Sequence, residues 1–261
     1  MEIGMALEPS SIDALILAGG LGTRLKPLIS DRPKPLAPVA GRPFIDHLLN
    51  LLSLYGFRSA TLCVGHMAEQ FDNRTFAAEI DTRISREDEP LGTAGALAHA
   101  LRQQASNGDR AYSDPLLVLN GDSISDGDLG RFLQWYHRSS IDNAIAGATV
   151  EEAGRYGSIV AGDAGQIQSF REKSKDTGSG LVNAGVYLLR REVIENLPKG
   201  RKLSLEYNVF PSLAGGSKAG LHVWNGCTRL IDIGTPESYE SAGEIVANLW
   251  RDLTAGVVTR T

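Results

Sequence analysis

Apolar residues run along this chain in two rhythms. The continuous, β-rich runs "IDALILA", "SATLCVG" and "PLLVLNGD" alternate with "PFIDHLLNLLSLYGF", "TAGALAHALRQQ" and "GDLGRFLQWYHRSS", which repeat at helical spacing. The runs predict buried strands. The repeats predict amphipathic helices, the first of them stopping at Gly56. Between them, "HMAEQFDNRTFAAEI" predicts a poorly patterned helix and "DTRISRE" a more exposed strand. Strands apolar on both faces, alternating with helices, predict a parallel sheet covered on both sides.

The texture changes at Asn143. "NAIAGATV", "GSIVA", "QIQSFREK" and "NAGVYLLR" predict strands joined by short turns, a mixed or antiparallel extension suited to a second substrate. "LSLEYNVFPSLA" predicts a short helix, "GLHVWNG" and "CTRLIDIG" a hairpin pair, and "PESYESAGEIVANLW" a closing helix. There is no internal repeat and no hexapeptide array of the kind that builds a β-helix. The expected organisation is a tail over 1–11, one domain over 12–255 and a tail over 256–261. Within the domain, 12–142 and 143–255 form two halves.

Composition narrows the classes. With 42% hydrophobic and 22% charged residues among 261, this is an ordinary globular chain. No apolar run approaches the roughly 20 residues of a membrane span. The start "MEIGMALEPSS" lacks a basic segment followed by an apolar core, so a cytoplasmic location is expected. Cys63 and Cys227 sit in apolar runs without metal spacing and read as buried thiols. A net charge of −5, with no basic block, disfavours nucleic acid as a partner.

The chemistry is concentrated after the first strand, in "LILAGGLGTRLKPLISDRPKPLAPV". Gly19, Gly20 and Gly22 permit positive φ and close approach, and their successive amides can form an anion-binding nest. The loop lacks the third glycine of the dinucleotide pattern and the GK[ST] of a Walker loop. Arg24 adds a forked, permanent cation. Lys34 lies between Pro33 and Pro35, which fix its neighbour's φ and bias its own backbone to an extended form. Asp122 follows "LLVLN", at the carboxyl end of a predicted parallel strand, where open α/β sheets place ligands. Asp232 interrupts the apolar "LIDIG", a costly position unless paired or metal-bound. After it, Thr235 and Pro236 read as a helix cap and first helical residue.

This opening resembles that of the sugar-1-phosphate nucleotidyltransferases, a GGxGTRL loop followed by a PKP-type segment. The likeness continues in family order through "EPLGTAGAL", "LNGDS", "FREK", "VNAGVY" and "IDIGTPESY". The resemblance implies an α/β, Rossmann-like, mostly parallel sheet flanked by helices with a mixed or antiparallel sugar-binding extension, the nucleotide-diphospho-sugar transferase fold. It implies a nucleoside triphosphate and a sugar 1-phosphate as substrates, Mg2+ as cofactor, and a homo-oligomer as a family expectation. Arg24 would stabilise departing pyrophosphate, Lys34 would contact phosphate at the reacting centre, and Asp122 and Asp232 would hold the metal. Leu17, Ala18, Gly19, Gly20, Gly22, Thr23, Glu87, Gly92 and Thr93 would form the nucleotide site. Asn120, Gly121, Tyr156, Gly157, Glu172, Lys173, Asn183 and Gly185 would form the sugar site; Ser174 stands where many relatives have proline.

Glu87 falls where related thymidylyl and uridylyl enzymes can carry glutamine. A carboxylate only accepts, and guanine offers adjacent N–H donors on one edge, which favours GTP. Within the family, "RPKPLAPVAGRPF", "SLEYNVFPSL" and "LIDIGTPESY" most resemble bacterial guanylyltransferases acting on D-glycero-α-D-manno-heptose 1-phosphate. Such enzymes feed S-layer, capsule and lipopolysaccharide glycans. Mannose-1-phosphate guanylylation and hexose-1-phosphate uridylylation or thymidylylation are the alternatives within the family. A non-catalytic homologue would be expected to lose a loop cation or metal carboxylate, and Arg24, Lys34, Asp122, Lys173 and Asp232 are all present. An oxidoreductase reading leaves the proline-lysine-proline unexplained.

Overall fold

The computed structural model describes residues 7–72, 74–156, 158–171, 178–215 and 220–258. In chain order, the first half holds β1 (Ala14–Leu17), β2 (Pro38–Val39), β3 (Arg42–Pro43), α1 (Phe44–Leu54), β4 (Ser59–Val64), β5 (Asp81–Arg86), α2 (Gly92–Ser106), β6 (Leu116–Asn120), β7 (Ser123–Ser125) and α3 (Leu129–Ser139). The second half adds β8 (Asn143–Val150), β9 (Ser158–Ala161), β10 (Ile167–Arg171), β11 (Gly180–Leu189) and α4 (Arg191–Glu195). It closes with α5 (Phe210–Leu213), β12 (Leu221–Cys227), β13 (Leu230–Asp232) and α6 (Pro236–Val258).

Seven strands form one sheet in the order β12-β8-β11-β6-β1-β4-β5. Every neighbouring pair is parallel except the two that involve β11, which alone runs against the rest. The sheet is therefore mostly parallel and continuous through both halves. Alternation explains why its strands lack polar faces. In β6, Leu117 and Leu119 pack into one buried cluster with α1, α3 and α6, while Leu116 and Val118 pack into the other with α2 and α4. Ile16 and Leu15 divide β1 the same way. Each such fully buried aliphatic side chain is worth about 1.5–3 kcal/mol over an exposed one, so neither face can be turned to water.

Strands β1, β4, β5 and β6 end at the same edge of the sheet, and Gly19, Gly65, Glu87 and Asp122 follow them there. This is the crevice at which an open parallel sheet binds ligands. Ribbon β9–β10 is a separate antiparallel pair, and among the described residues β7 pairs only with β13.

Two expectations are corrected. The stretch 66–80 holds only the short 3-10 turn Ala68–Phe71 and no α-helix among its described residues. Met67 enters that turn at φ 55, a left-handed conformation that interrupts helical propagation. The segments "GLHVWNG" and "CTRLIDIG" are also not a hairpin pair. Strand β12 lies parallel to β8, and β13 leaves the sheet to run antiparallel to β7. Asp126 supplies the reason: its carboxylate accepts from the amide and hydroxyl of Thr228 at 2.8 and 2.6 Å and from the Arg229 amide at 2.9 Å. These bonds draw the chain away from β12 before a tight return can form. The closing helix extends to Val258, beyond the apolar repeat that announces it.

Candidate active site

The glycine loop lies between β1 and β4. Ala18 donates its amide to the Cys63 carbonyl, and the His66 amide approaches the Gly19 carbonyl. Only one glycine of the loop is left-handed, Gly22 at φ +57. Gly19 serves close approach instead: a Cβ there would lie 3.0 Å from Glu87 Oε1 and 3.1 Å from the Gly65 nitrogen. Gly20 faces open space. A turn then brings Arg24, an exposed residue, to the edge of the cavities.

Lys34 departs from its expected backbone. Pro33 is extended at ψ 147, but Lys34 opens a 3-10 turn, Lys34–Leu36, rather than continuing as a strand. Burial of Pro35 and Leu36, with the Leu36 and Ala37 amides bonded back to Pro33 and Lys34, outweighs the pre-proline bias. The lysine is nonetheless aimed inward. Its side chain is 10% exposed, and Nζ donates to Asp122 Oδ2 at 2.5 Å.

The two aspartates meet through strand pairing. In the β7–β13 ladder Asp232 stands opposite Ser123, next to Asp122, and the Ile233 amide donates to the Asp122 carbonyl. Both carboxylates line one cavity of about 150 Å³, shared with Arg24, Asn120 and Tyr156. Asp232 accepts from the Tyr156 hydroxyl at 3.1 Å and from the Gly234 amide at 2.8 Å. The other oxygen of Asp122, Oδ1, accepts no hydrogen bond among the described residues. No group of three or more His, Cys, Asp or Glu side chains able to hold a metal occurs among them.

A second cavity of about 490 Å³ is lined by Leu17, Ala18, the loop glycines 19, 20 and 22, Thr23, Arg24, Lys34, Glu87, Gly92 and Thr93. The nucleotide-site residues suggested by sequence are thus brought together. Their local roles differ in detail. Glu87 accepts the Leu91 amide at 3.1 Å, and burial raises its carboxyl above the ordinary range while that bond opposes the rise. Gly92 opens α2 at φ +73, and a Cβ there would meet the Leu203 carbonyl at 2.5 Å, so packing against the chain itself requires it. The Thr93 hydroxyl is occupied: it accepts from the Leu205 amide and donates to Glu206. Cys63 reaches the same cavity as an inert thiol, pushed up to about 12 by burial and by the Glu87 charge.

A groove of about 660 Å³ lies on the other side, bounded by β9–β10 and the 206–214 segment and containing Asn120, Tyr156 and Asn183. Asn183 donates to the Tyr187 hydroxyl, which donates to Asn120, so a buried tyrosine ties the two amides together. Gly185, at φ +77, lies where the register shifts and clears Ser123 and Asn120. Gly121 lines none of these cavities; a Cβ there would lie 2.5 Å from the Leu17 carbonyl, so it serves the approach of β6 to β1. Gly157, Glu172 and Lys173 lie outside the described residues.

Three contributors escape sequence reasoning. A Cβ on Gly234 would lie 2.5 Å from Asp232 Oδ1, 3.3 Å from Lys34 Nζ and 3.5 Å from Arg24 Nη2, which marks it as the point where these groups converge. Its signal is the glycine closing "LIDIG", hidden by the helix cap that follows. Glu206 lines both large cavities, and Tyr187 reads as an ordinary strand residue. Arg24 and Asn120 border all three cavities, so the two large spaces share one junction.

The chain is similar to known proteins along most of its length. The chain is 31% identical over 233 residues to mannose-1-phosphate guanylyltransferase of Mycobacterium tuberculosis, matching 87% of this chain and 62% of that protein. It is 36% identical over 234 residues to probable mannose-1-phosphate guanylyltransferase 2 of Arabidopsis thaliana, again covering 87% and 62%. It therefore spans about three fifths of the length of these curated relatives. Among solved structures, HddC from Yersinia pseudotuberculosis superposes with a TM-score of 0.74 at 32% identity, covering 90% of this chain and 99% of that one. The same protein complexed with GMP-PN gives 0.74 at 31%. The nucleotidyl transferase family model matches residues 13–248, and the chain belongs to that family.

Proposed function

We propose that this protein transfers a guanylyl group from GTP to a sugar 1-phosphate, releasing pyrophosphate. The observation that carries the reading is the junction itself. Arg24, Lys34, Asp122 and Asp232 converge around Gly234 where a cavity beside the glycine loop meets a groove rich in amide and hydroxyl groups. A phosphate oxygen of the sugar attacks the α-phosphorus in line, the new P–O bond forms, and the bond to the β-phosphate oxygen breaks. The nucleophile is already anionic, so positioning and charge compensation supply the catalysis. Arg24 receives charge developing on the leaving pyrophosphate, and Lys34 turns from Asp122 toward phosphate as substrates enter.

Asp122 and Asp232 fit Mg2+ as hard oxygen donors sharing one cavity, one of them with an oxygen not committed to the protein. Two carboxylates completed by substrate phosphates and water are an ordinary magnesium donor set. Held by Asp122 and Asp232, such an ion would supply positive charge to offset that of the phosphates.

Guanine is favoured by Glu87, an acceptor-only group lining the nucleotide cavity beside Gly19, and by the GMP-PN complex of HddC. For the sugar we propose D-glycero-α-D-manno-heptose 1-phosphate, on the motif resemblance, with Glu172, Lys173 and Asn183 at the hydroxyls and phosphate. The names of the curated relatives favour mannose 1-phosphate as a second reading. A pyrophosphate-release assay crossing four nucleoside triphosphates with heptose, mannose, glucose and N-acetylated sugar 1-phosphates tests both. Turnover is expected with GTP and heptose 1-phosphate. Preference for UTP or dTTP overturns the guanine reading, and preference for mannose 1-phosphate replaces the heptose.

A further inference from the structure

The nucleotide cavity is completed from the sugar half of the chain. A strap over residues 201–206 lies across the start of α2 and is fastened there by backbone. The Leu203 amide donates to the Leu91 carbonyl at 2.8 Å, and the Leu203 carbonyl accepts from the Ala94 and Gly95 amides at 2.9 and 3.2 Å. The Leu205 amide donates to Thr93 Oγ1 at 2.7 Å. Gly92 and Gly95 make room for this fit, since a Cβ on either would lie within 3.0 Å of a strap carbonyl.

Lys202 projects from the strap and lines the cavity together with Glu87, Pro90 and Gly92. The phosphate end of the same cavity is marked by Gly22, Arg24 and Lys34. Lys202 belongs with Glu87 by connectivity: its neighbour Leu203 is bonded to Leu91, whose amide is bonded to Glu87. Neither Lys202 nor Glu87 is in an ion pair among the described residues. The base end therefore presents an acceptor-only carboxylate and a donor-only ammonium on neighbouring walls.

We propose that Lys202 is a further specificity-determining residue, donating to O6 and N7 of guanine while Glu87 accepts from the adjoining N–H groups. Lysine commonly meets guanine at this pair of acceptors. Adenine places an amino group where O6 would be, against the ammonium, and an unprotonated ring nitrogen against Glu87. The inference rests on the guanylyl-transfer reading and adds a residue to it.

The test compares kcat/KM for GTP and 7-deaza-GTP in the wild type, Lys202→Met and Lys202→Arg. 7-Deaza-GTP lacks N7 but keeps every group that Glu87 would read. Wild type is expected to favour GTP by about tenfold to a hundredfold, the scale of one charge-assisted hydrogen bond. Lys202→Met should bring GTP down to the level of the analogue, and Lys202→Arg should restore the preference. An equal effect of Lys202→Met on both nucleotides, or no effect on GTP, overturns the role of Lys202 and leaves guanylyl transfer standing. A wild type that turns over neither nucleotide overturns the guanylyl-transfer reading itself.

Discussion

Arg24 borders every cavity of the site, which is the position required of a cation that follows charge from one substrate to the other. We predict that Arg24→Ala lowers kcat by about 10²–10³, the usual cost of deleting one transition-state donor, with a much smaller change in KM for GTP. Steady-state kinetics reads this directly, and a change confined to KM contradicts it. Gly234→Ala is predicted to act without removing any functional group, because the new methyl would push on the Asp232 carboxylate. Activity should fall while the melting temperature holds. Glu87 yields a pH prediction. Its folded carboxyl titrates above the ordinary value, so its contribution is complete below about pH 4.5 and declines as pH rises through the raised value. Glu87→Gln should therefore gain thermal stability relative to wild type as pH rises above about 4.5 through that raised value, while losing selectivity for GTP; a gap that closes with rising pH contradicts the sign. At this scale the sequence was informative where a residue's chemistry was unusual for its setting, as with Asp232 between two isoleucines. It was silent on Gly234, Glu206 and Lys202, whose roles come from partners remote in the chain.

At the scale of elements, the site depends on a three-residue strand. The register of β13 against β7 places Asp232 beside Asp122, and Asp126 fixes that register from outside the cavity. Burial works against the Asp126 carboxylate, but the Thr228 hydroxyl, the two amides and Arg229 hold it below the ordinary range. Its stabilising effect is thus present above about pH 3.8 and lost as pH falls below it. We predict that Asp126→Ala costs about 1–3 kcal/mol and weakens magnesium binding, although Asp126 lines none of the three cavities. Urea unfolding and metal titration measure the two effects; a stability loss with unchanged metal affinity contradicts the link. The strands of the main sheet were legible because burial on both faces demands unbroken apolar runs. The path of β13 was not, because "LIDIG" carries no mark of which strand it will join, and the deciding bonds come from Asp126, about a hundred residues earlier.

For the whole molecule, one seven-stranded sheet runs through both halves of the chain, and the cavity beside the glycine loop and the groove beside β9–β10 meet at Arg24 and Asn120. GTP with Mg2+ should stabilise the folded chain by about 2.7 kcal/mol at a hundred times its dissociation constant, and the same concentration of GTP without metal by less. The fold class was readable from alternation alone, and the site from its motifs. The junction required the folded chain, because Arg24, Asp122 and Asp232 are distant in sequence and meet only through the pairing of β6 with β1 and of β13 with β7. On the proposed function, these two aspartates share one divalent ion between two anionic substrates. Titrating Mn2+ by electron paramagnetic resonance, with GTP present, in wild type, Asp122→Asn, Asp232→Asn and the double variant tests it most directly. Either single variant is expected to lose nearly all of the tight binding, and the double variant little more. Additive, independent losses, or undiminished binding in either single variant, would contradict it.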